Sequence, residues 1–313
     1  MLEVDTRTYA LTFTGQGSQF IGMGKGLEQS VEARRIIELA DDIVGFSLSG
    51  LCKNGPIEEL SDTSKAQPAI VAISLAALAA AKEFHPELFE KDPTCVAGHS
   101  VGELTALVVA GGITEGTAID LARQRGILMK EASQKYPGRM AALHRFRSER
   151  QVRDLCKEAY TQIANFNGPG QIIISGGMEQ VEEALRLAAK RKMKAIPLDI
   201  SGGFHSLLME PIQSFFEEIL SNAKFNKLRV PIVLNATYRP TSDEEKVKKE
   251  LVKQLIAPVK WARSVRYITD RLGVNIFLEC GPKDILTGLL RRMDGEVKGV
   301  WIGDYRSAQA LSF

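Results

Sequence analysis

Five residues constrain this chain more than any others: Gly98-His99-Ser100-Val101-Gly102, preceded by the apolar run Thr94-Cys95-Val96-Ala97 and followed by an apolar stretch from Glu103 to about Ala110. The run before reads as a buried strand and the stretch after as a helix, so Ser100 falls on a strand-to-helix turn. A G-x-S-x-G turn holds its serine on a strained backbone, and it needs glycine two residues to either side because neighbouring backbone passes too close for a Cβ. The same turn puts Ser100 at a helix N-terminus, where N–H groups and the helix dipole favour a developing oxyanion. The five-residue pattern also recurs by chance, and it is the flanking strand and helix that select the nucleophile reading.

With 313 residues the chain is long enough for one large core and a smaller unit besides. Tyr9–Phe13 reads as a strand ending in the glycine-rich turn Gly15-Gln16-Gly17-Ser18-Gln19, with helices at about 27–43 and 66–84 and another from about Glu115 to Ala132. From Met140 to Ile200 the texture becomes strand, helix, strand, strand, helix, strand: Met140–Phe146, Glu149–Tyr160, Thr161–Asn165, Gln171–Ser175, Glu179–Lys192 and Lys194–Asp199. That order is the ferredoxin-like split βαβ pattern. Tyr136-Pro137-Gly138 and Ser201-Gly202-Gly203 read as its hinges. Beyond them come a helix at about 207–222, a strand Ile232-Val233-Leu234, a charged helix at about 243–256 and a strand Ile276-Phe277-Leu278-Glu279. The expectation is an α/β protein: a large body, 1–136 and 202–313, interrupted by a small ferredoxin-like subdomain, 137–201.

Composition removes several classes of function. Forty basic and 38 acidic residues leave a charge of +2, which points to neither nucleic acid nor an anionic membrane. Cys52, Cys95, Cys156 and Cys280 are far apart and form no C-x-x-C pair, so they read as reduced thiols of a cytoplasmic protein rather than a disulfide frame or a zinc site. The first twenty residues lack a basic start followed by an apolar run, so no secretion signal is expected. The greasiest stretch, Ala69 to Ala81, reads as a buried core helix too short to span a bilayer.

A serine hydroxyl needs a base within hydrogen-bond reach. Of the four histidines, His85 precedes a proline in a polar stretch, His144 lies in a strand of the small unit, and His99 adjoins the nucleophile with its side chain expected to point away. Elimination leaves His205, after the flexible Ser201-Gly202-Gly203-Phe204. No Asp or Glu completes a triad by local spacing. Asp199, Glu210 and Glu279 stay open as partners, and so does a backbone carbonyl, because fixing the tautomer takes only an acceptor.

Six spaced motifs carry a resemblance along nearly the whole chain: Phe13-Thr14-Gly15-Gln16-Gly17-Ser18-Gln19, Gln67-Pro68-Ala69, Gly98 to Glu103, Arg125-Gly126, Asn165-Phe166-Asn167 with Pro169-Gly170-Gln171, and Phe204-His205-Ser206; Glu279-Cys280-Gly281-Pro282 and Leu286-Thr287-Gly288-Leu289 close the series. In this order they resemble the malonyl-CoA:acyl carrier protein transacylase family and the related acyltransferase domains of polyketide synthases. The resemblance implies an α/β-hydrolase-like body with a ferredoxin-like insert. It implies that Ser100 is acylated, that His205 is its base oriented by a backbone carbonyl near Gln254, that the N–H groups of Gln16 and Val101 form the oxyanion hole, and that Arg125 holds the free carboxylate of the acyl group. A guanidinium fork pairs a carboxylate bidentately and so discriminates against acyl chains without that charge; Arg123, two residues earlier on another helix face, reads as a solvated arginine. Phe204 beside the base resembles the malonyl-selective form, with little room for an α-methyl branch.

Thr14, Val101, Gly203 and Lys283 depart from the residues common in the family, which suggests a member serving a specialised pathway. The implied partners are malonyl-CoA and an acyl carrier protein, with no metal or redox cofactor, and the chain is expected to be a monomer. Two other readings remain: a free-standing polyketide acyltransferase or editing acyl hydrolase with the same site, the hydrolase having less use for Arg125, and a non-catalytic carrier-binding protein, which the presence of Ser100, His205 and Arg125 together disfavours.

Overall fold

The computed structural model describes residues 8–293, 295 and 297–312. Residues 1–7, 294, 296 and 313, which the expected large body includes, lie outside the described residues. In chain order the strands among them are β1 (Tyr9–Phe13), β2 (Cys95–Gly98), β3 (Gly138–His144), β4 (Gln162–Gly168), β5 (Gln171–Gly177), β6 (Lys194–Pro197), β7 (Ile232–Val233), β8 (Pro240–Thr241), β9 (Ile276–Cys280) and β10 (Lys298–Ile302). They form two sheets, ordered β10-β9-β1-β2-β7-β8 and β4-β5-β3-β6.

The first sheet is parallel except for the β7–β8 pair. Both its faces are covered, which is why its central strands read as continuous apolar runs. The two-residue period of a strand sends Leu11, Phe13, Val96 and Leu278 into the core on one face and Ala10, Cys95, Ala97 and Phe277 into the core on the other. Phe13 is level with both Gly98 and Cys280. The segments that leave β1, β2 and β9 therefore emerge side by side at one edge of the sheet, where Ser100 lies.

The second sheet is antiparallel and has the ferredoxin-like strand order. Helices Glu149–Glu158 and Met178–Lys190 supply Val152, Leu155, Val181 and Ala184 to a core of its own. Two contacts join it to the rest of the chain. A Cβ on Gly138 would lie 2.7 Å from Gly203 N, so the two hinge glycines let the entering strand and the leaving segment touch. Farther along, Phe166 N–H donates to Val259 O and Val259 N–H to Ala164 O, both at 2.8 Å.

Several element ends differ from expectation, each for a local reason. Ser30 caps helix Val31–Val44 through Ala33 N–H, so residues 27–29 form a separate 3-10 turn. Pro211 likewise leaves Leu207–Ile212 as a 3-10 turn ahead of helix Gln213–Asn222. The apolar stretch at Ala69–Ala81 belongs to a longer helix, Thr63–Phe84, capped by Asp62 through Ser64 N–H. At 22 residues and a mean hydropathy of 1.4, that helix is long and apolar enough to cross a membrane, which corrects the expectation from its apolar part alone. It is a core helix, with 83% of its apolar window buried inside the protein. Helix Trp261–Leu272 was not expected; charged residues hide its stripe of Trp261, Val265 and Ile268.

Gly126 lets helix Glu115–Lys135 approach the start of Thr63–Phe84, since a Cβ there would come within 2.5 Å of Thr63 O. This close crossing brings Arg125 and Gln67 face to face.

Candidate active site

The turn after β2 is as tight as its glycines require. A Cβ on Gly98 would sit 2.0 Å from the Gly102 carbonyl carbon, and one on Gly102 would sit 2.4 Å from Phe13 O. Between them Ser100 has a φ of 54°, in the left-handed region that costs a non-glycine residue on the order of 1–3 kcal/mol. Asn235, just past β7, holds the turn in place: its Oδ1 accepts from Ser100 N–H at 2.7 Å and its Nδ2 donates to Gly98 O at 2.6 Å.

His205 is also left-handed, with φ 56°. Its ring lies between two partners: Nε2 is 2.9 Å from Ser100 Oγ, and Nδ1 is 2.8 Å from Gln254 O. A carbonyl can only accept, so the proton is on Nδ1 and Nε2 is free to accept from the serine hydroxyl. Glu279, one of the carboxylates left open as a partner, instead receives the N–H groups of Leu286 and Thr287 at 2.7 and 2.6 Å. Glu210 is exposed to solvent and Asp199 lines the cavity wall.

Arg125 is 2% exposed. Its Nη1 donates to Gln67 Oε1 at 2.7 Å, and its Nη2 donates to Gln254 Oε1 at 2.9 Å and to Ser100 Oγ at 3.2 Å. Gln254 therefore touches both groups, the imidazole with its carbonyl and the guanidinium with its side chain. Arg123 departs from the solvated reading: it is half-buried and donates to Ile43 O at 2.8 Å, at the end of helix Val31–Val44.

Gln16 follows β1 at the same sheet edge, its side chain donating to Thr63 Oγ1 at 3.1 Å. Among the described residues, neither its N–H nor that of Val101 donates to a protein acceptor. His99 bonds Asn167 Oδ1 through Nε2 at 2.9 Å and packs on Trp261, while His85 and His144 bond the carbonyls of Gln309 and Gly170. Phe204 is buried and lines the same cavity as Ser100 and His205. That cavity, of about 590 Å³, lies between the two sheets, with Gln16, Asn167 and Lys283 also on its walls. A second hollow of about 740 Å³ shares Ile57, Ser61 and Leu198 to Ile200 with it and extends the crevice outward. No cluster of three or more His, Cys, Asp or Glu among the described residues could hold a metal ion, and the four cysteines are free and buried.

Burial governs the charges here. It pushes the His205 imidazole down to about 3, with the nearby Arg125 charge adding to the effect and the Gln254 carbonyl opposing it. Burial also lowers the Arg125 guanidinium to about 10, with Glu103 opposing, so it stays charged at neutral pH. The Glu103 carboxyl is raised to about 8 by burial, against the pull of Asn235 N–H and the Gln254 side chain. A depressed base has a measurable consequence. With His205 as the base, kcat/KM for acylation would report its titration in the free protein, and is expected to hold nearly level from pH 7.5 down to 5, where an ordinary histidine would already be mostly protonated. A fall centred near 6.5 in a single-turnover pH series would contradict this. The sign for stability is fixed by the same shift. The unfolded chain takes up the proton first, so the stability contributed by neutral His205 is present above 6.5 and is lost as pH falls from there through about 3.

Sequence reasoning gave no role to Asn235 or Glu103, and quoted Gln67 only within a motif. The signal for two of them was nevertheless present: Gln67 and Glu103 are polar residues that lead directly into apolar helical runs.

The fold and the turn after β2 put the chain in the class of α/β proteins that handle acyl groups at a serine. Residues 11–298 match the acyl transferase domain family, and the chain belongs to that family. It is 39% identical over 301 residues to the malonyl CoA-acyl carrier protein transacylase of Bacillus subtilis (strain 168), covering 94% of this chain and 93% of that protein. Among solved structures it resembles the acyl-carrier-protein-S-malonyltransferase from Bartonella henselae at a TM-score of 0.91 and 37% identity, over 97% of this chain and 98% of that one. A malonyl-transacylase solved in complex with its type II PKS acyl-carrier protein superposes at a TM-score of 0.88 and 34% identity, over 96% of this chain and 97% of that one.

Proposed function

We propose that this protein moves a malonyl group from coenzyme A to the phosphopantetheine thiol of an acyl carrier protein by way of an ester on Ser100. The observation that carries the reading is the convergence on one hydroxyl: Ser100 Oγ lies 2.9 Å from an imidazole nitrogen that can accept its proton and 3.2 Å from a buried guanidinium that can hold a carboxylate.

In the first half-reaction Ser100 Oγ attacks the thioester carbonyl as its proton passes to His205 Nε2. The tetrahedral oxygen accepts from the Gln16 and Val101 N–H groups, each worth roughly 2.7–4 kcal/mol in such a role. Collapse breaks the C–S bond, and the coenzyme A thiolate leaves with the proton from Nε2. In the second half-reaction the carrier's thiol gives its proton to Nε2 and attacks the ester, and the proton returns to Ser100 Oγ. Through both halves the Gln254 carbonyl holds the ring by Nδ1–H, and the acyl carboxylate takes Arg125 Nη2 from the serine. Phe204 fills the space an α-methyl branch would need. These steps call on no cofactor.

The reading divides the chain into a large body, 1–136 with 202–313, and an inserted unit, 137–201, with the acyl group held between them. It takes the protein as a cytoplasmic monomer. The resemblance to a transacylase that serves a type II polyketide carrier supports a carrier of either the fatty-acid or the polyketide kind. Intact-mass measurement tests the transfer: mixing with malonyl-CoA is expected to add one malonyl group, and adding a phosphopantetheinylated carrier is expected to move it there. A malonyl ester lost to water while the carrier stays unmodified would make the protein a hydrolase instead.

A further inference from the structure

The transfer steps leave a buried ionisable group beside the site, Glu103, unused. Glu103, in the first turn of helix Gly102–Val109, is 1% exposed. Its Oε1 accepts Asn235 N–H at 2.5 Å, and its Oε2 accepts a hydrogen bond from Gln254 Nε2. Each partner continues inward. Asn235 Oδ1 accepts Ser100 N–H, while Gln254 Nε2 also donates to Ser100 O at 3.2 Å and Gln254 Oε1 accepts from Arg125 Nη2.

A glutamine amide has a donor end and an acceptor end. At Gln254 both acceptors, Glu103 Oε2 and Ser100 O, sit at one end, and this turns the oxygen toward Arg125. We infer that Glu103 is a positioning residue for acyl selection: its carboxylate sets which end of the Gln254 amide faces Arg125, and so holds the guanidinium in register with Ser100. The inference rests on the malonyl-transfer reading and adds to it the group that keeps the carboxylate clamp in place. Burial raises the Glu103 carboxyl to about 8, but both of its hydrogen-bond partners are donors, so its two oxygens serve as acceptors, the arrangement a carboxylate takes, and the Arg125 charge pulls the same way. A purely structural role would be to satisfy two buried N–H groups, and its loss would harm every acyl group alike.

The test is single-turnover acylation with malonyl-CoA and acetyl-CoA, followed by intact mass. Glu103→Gln keeps the size but sets an NH2 against a donor on one side or the other. The malonyl-to-acetyl rate ratio is expected to fall by about tenfold or more, the scale of one weakened charge-assisted hydrogen bond. Gln254→Met removes the amide but keeps the carbonyl that bonds His205, and is expected to lower the ratio similarly. Adding Glu103→Gln to it is expected to lower the ratio no further, as for two members of one chain of contacts. An unchanged ratio in Glu103→Gln, or two losses that multiply in the double variant, overturns the inference. Should Glu103→Gln not fold, an unchanged ratio in Gln254→Met overturns it alone. A parent protein that forms no malonyl ester defeats the transfer reading itself, and is thereby distinguished from a variant that merely keeps its selectivity.

Discussion

Ser100→Ala is expected to abolish the malonyl adduct and to lower transfer by roughly 10⁴-fold or more, since loss of a nucleophilic serine from a Ser-His site costs on the order of 10⁶ in kcat. The residual rate would come from the oxyanion donors and from binding, which the substitution leaves in place. Folding is a separate matter. The substitution removes one hydroxyl that donates to His205 and accepts from Arg125, but it leaves the backbone bond to Asn235 and the glycines of the turn untouched. The thermal midpoint is therefore expected to move only slightly, by the effect of about 1 kcal/mol. An adduct of unchanged mass in the alanine variant would assign the nucleophile to another residue.

Arg125→Ala has the next largest expected effect, and it depends on the acyl group. Two charge-assisted hydrogen bonds to a carboxylate, at about 1.5–3 kcal/mol each, correspond to roughly 10²–10⁴-fold in rate. Malonyl transfer is expected to fall by that factor, and acetyl transfer by far less. The variant also leaves Gln67 Oε1 and Gln254 Oε1 without their buried donor, so a drop in thermal midpoint should accompany the change. Measuring both acyl groups on the same preparation separates the two effects, because lost stability penalises them equally. Equal losses for malonyl and acetyl would mean that Arg125 holds the crevice together rather than holding a carboxylate.

The α/β body was legible because its signals are local. A fully buried strand such as Cys95–Gly98 leaves a continuous apolar run, and the glycines around Ser100 mark backbone that comes too close for any other residue. The small sheet was legible for the same reason, its strands and helices alternating within some sixty residues. Elements whose stripe is short or interrupted were not. β10 is mostly half-exposed, and helix Trp261–Leu272 shows its apolar stripe only at every third or fourth position, among three arginines and an aspartate. The same distinction runs through the site. Ser100 and His205 could be nominated from residue type, and Arg125 from the resemblance. The meeting of Gln67, Glu103, Asn235 and Gln254 around them depends on separations of 58 to 154 residues in the chain, which no local pattern encodes.

The seam at Val259, where the backbone ahead of helix Trp261–Leu272 bonds directly to β4, bears on how cargo comes and goes. Because that wall is joined by paired peptide groups as well as by side chains such as Arg263 on Phe166, prising it apart would break paired amides for no return. A cargo on a slender tether would then reach Ser100 along the crevice rather than through a parting of its walls at this seam.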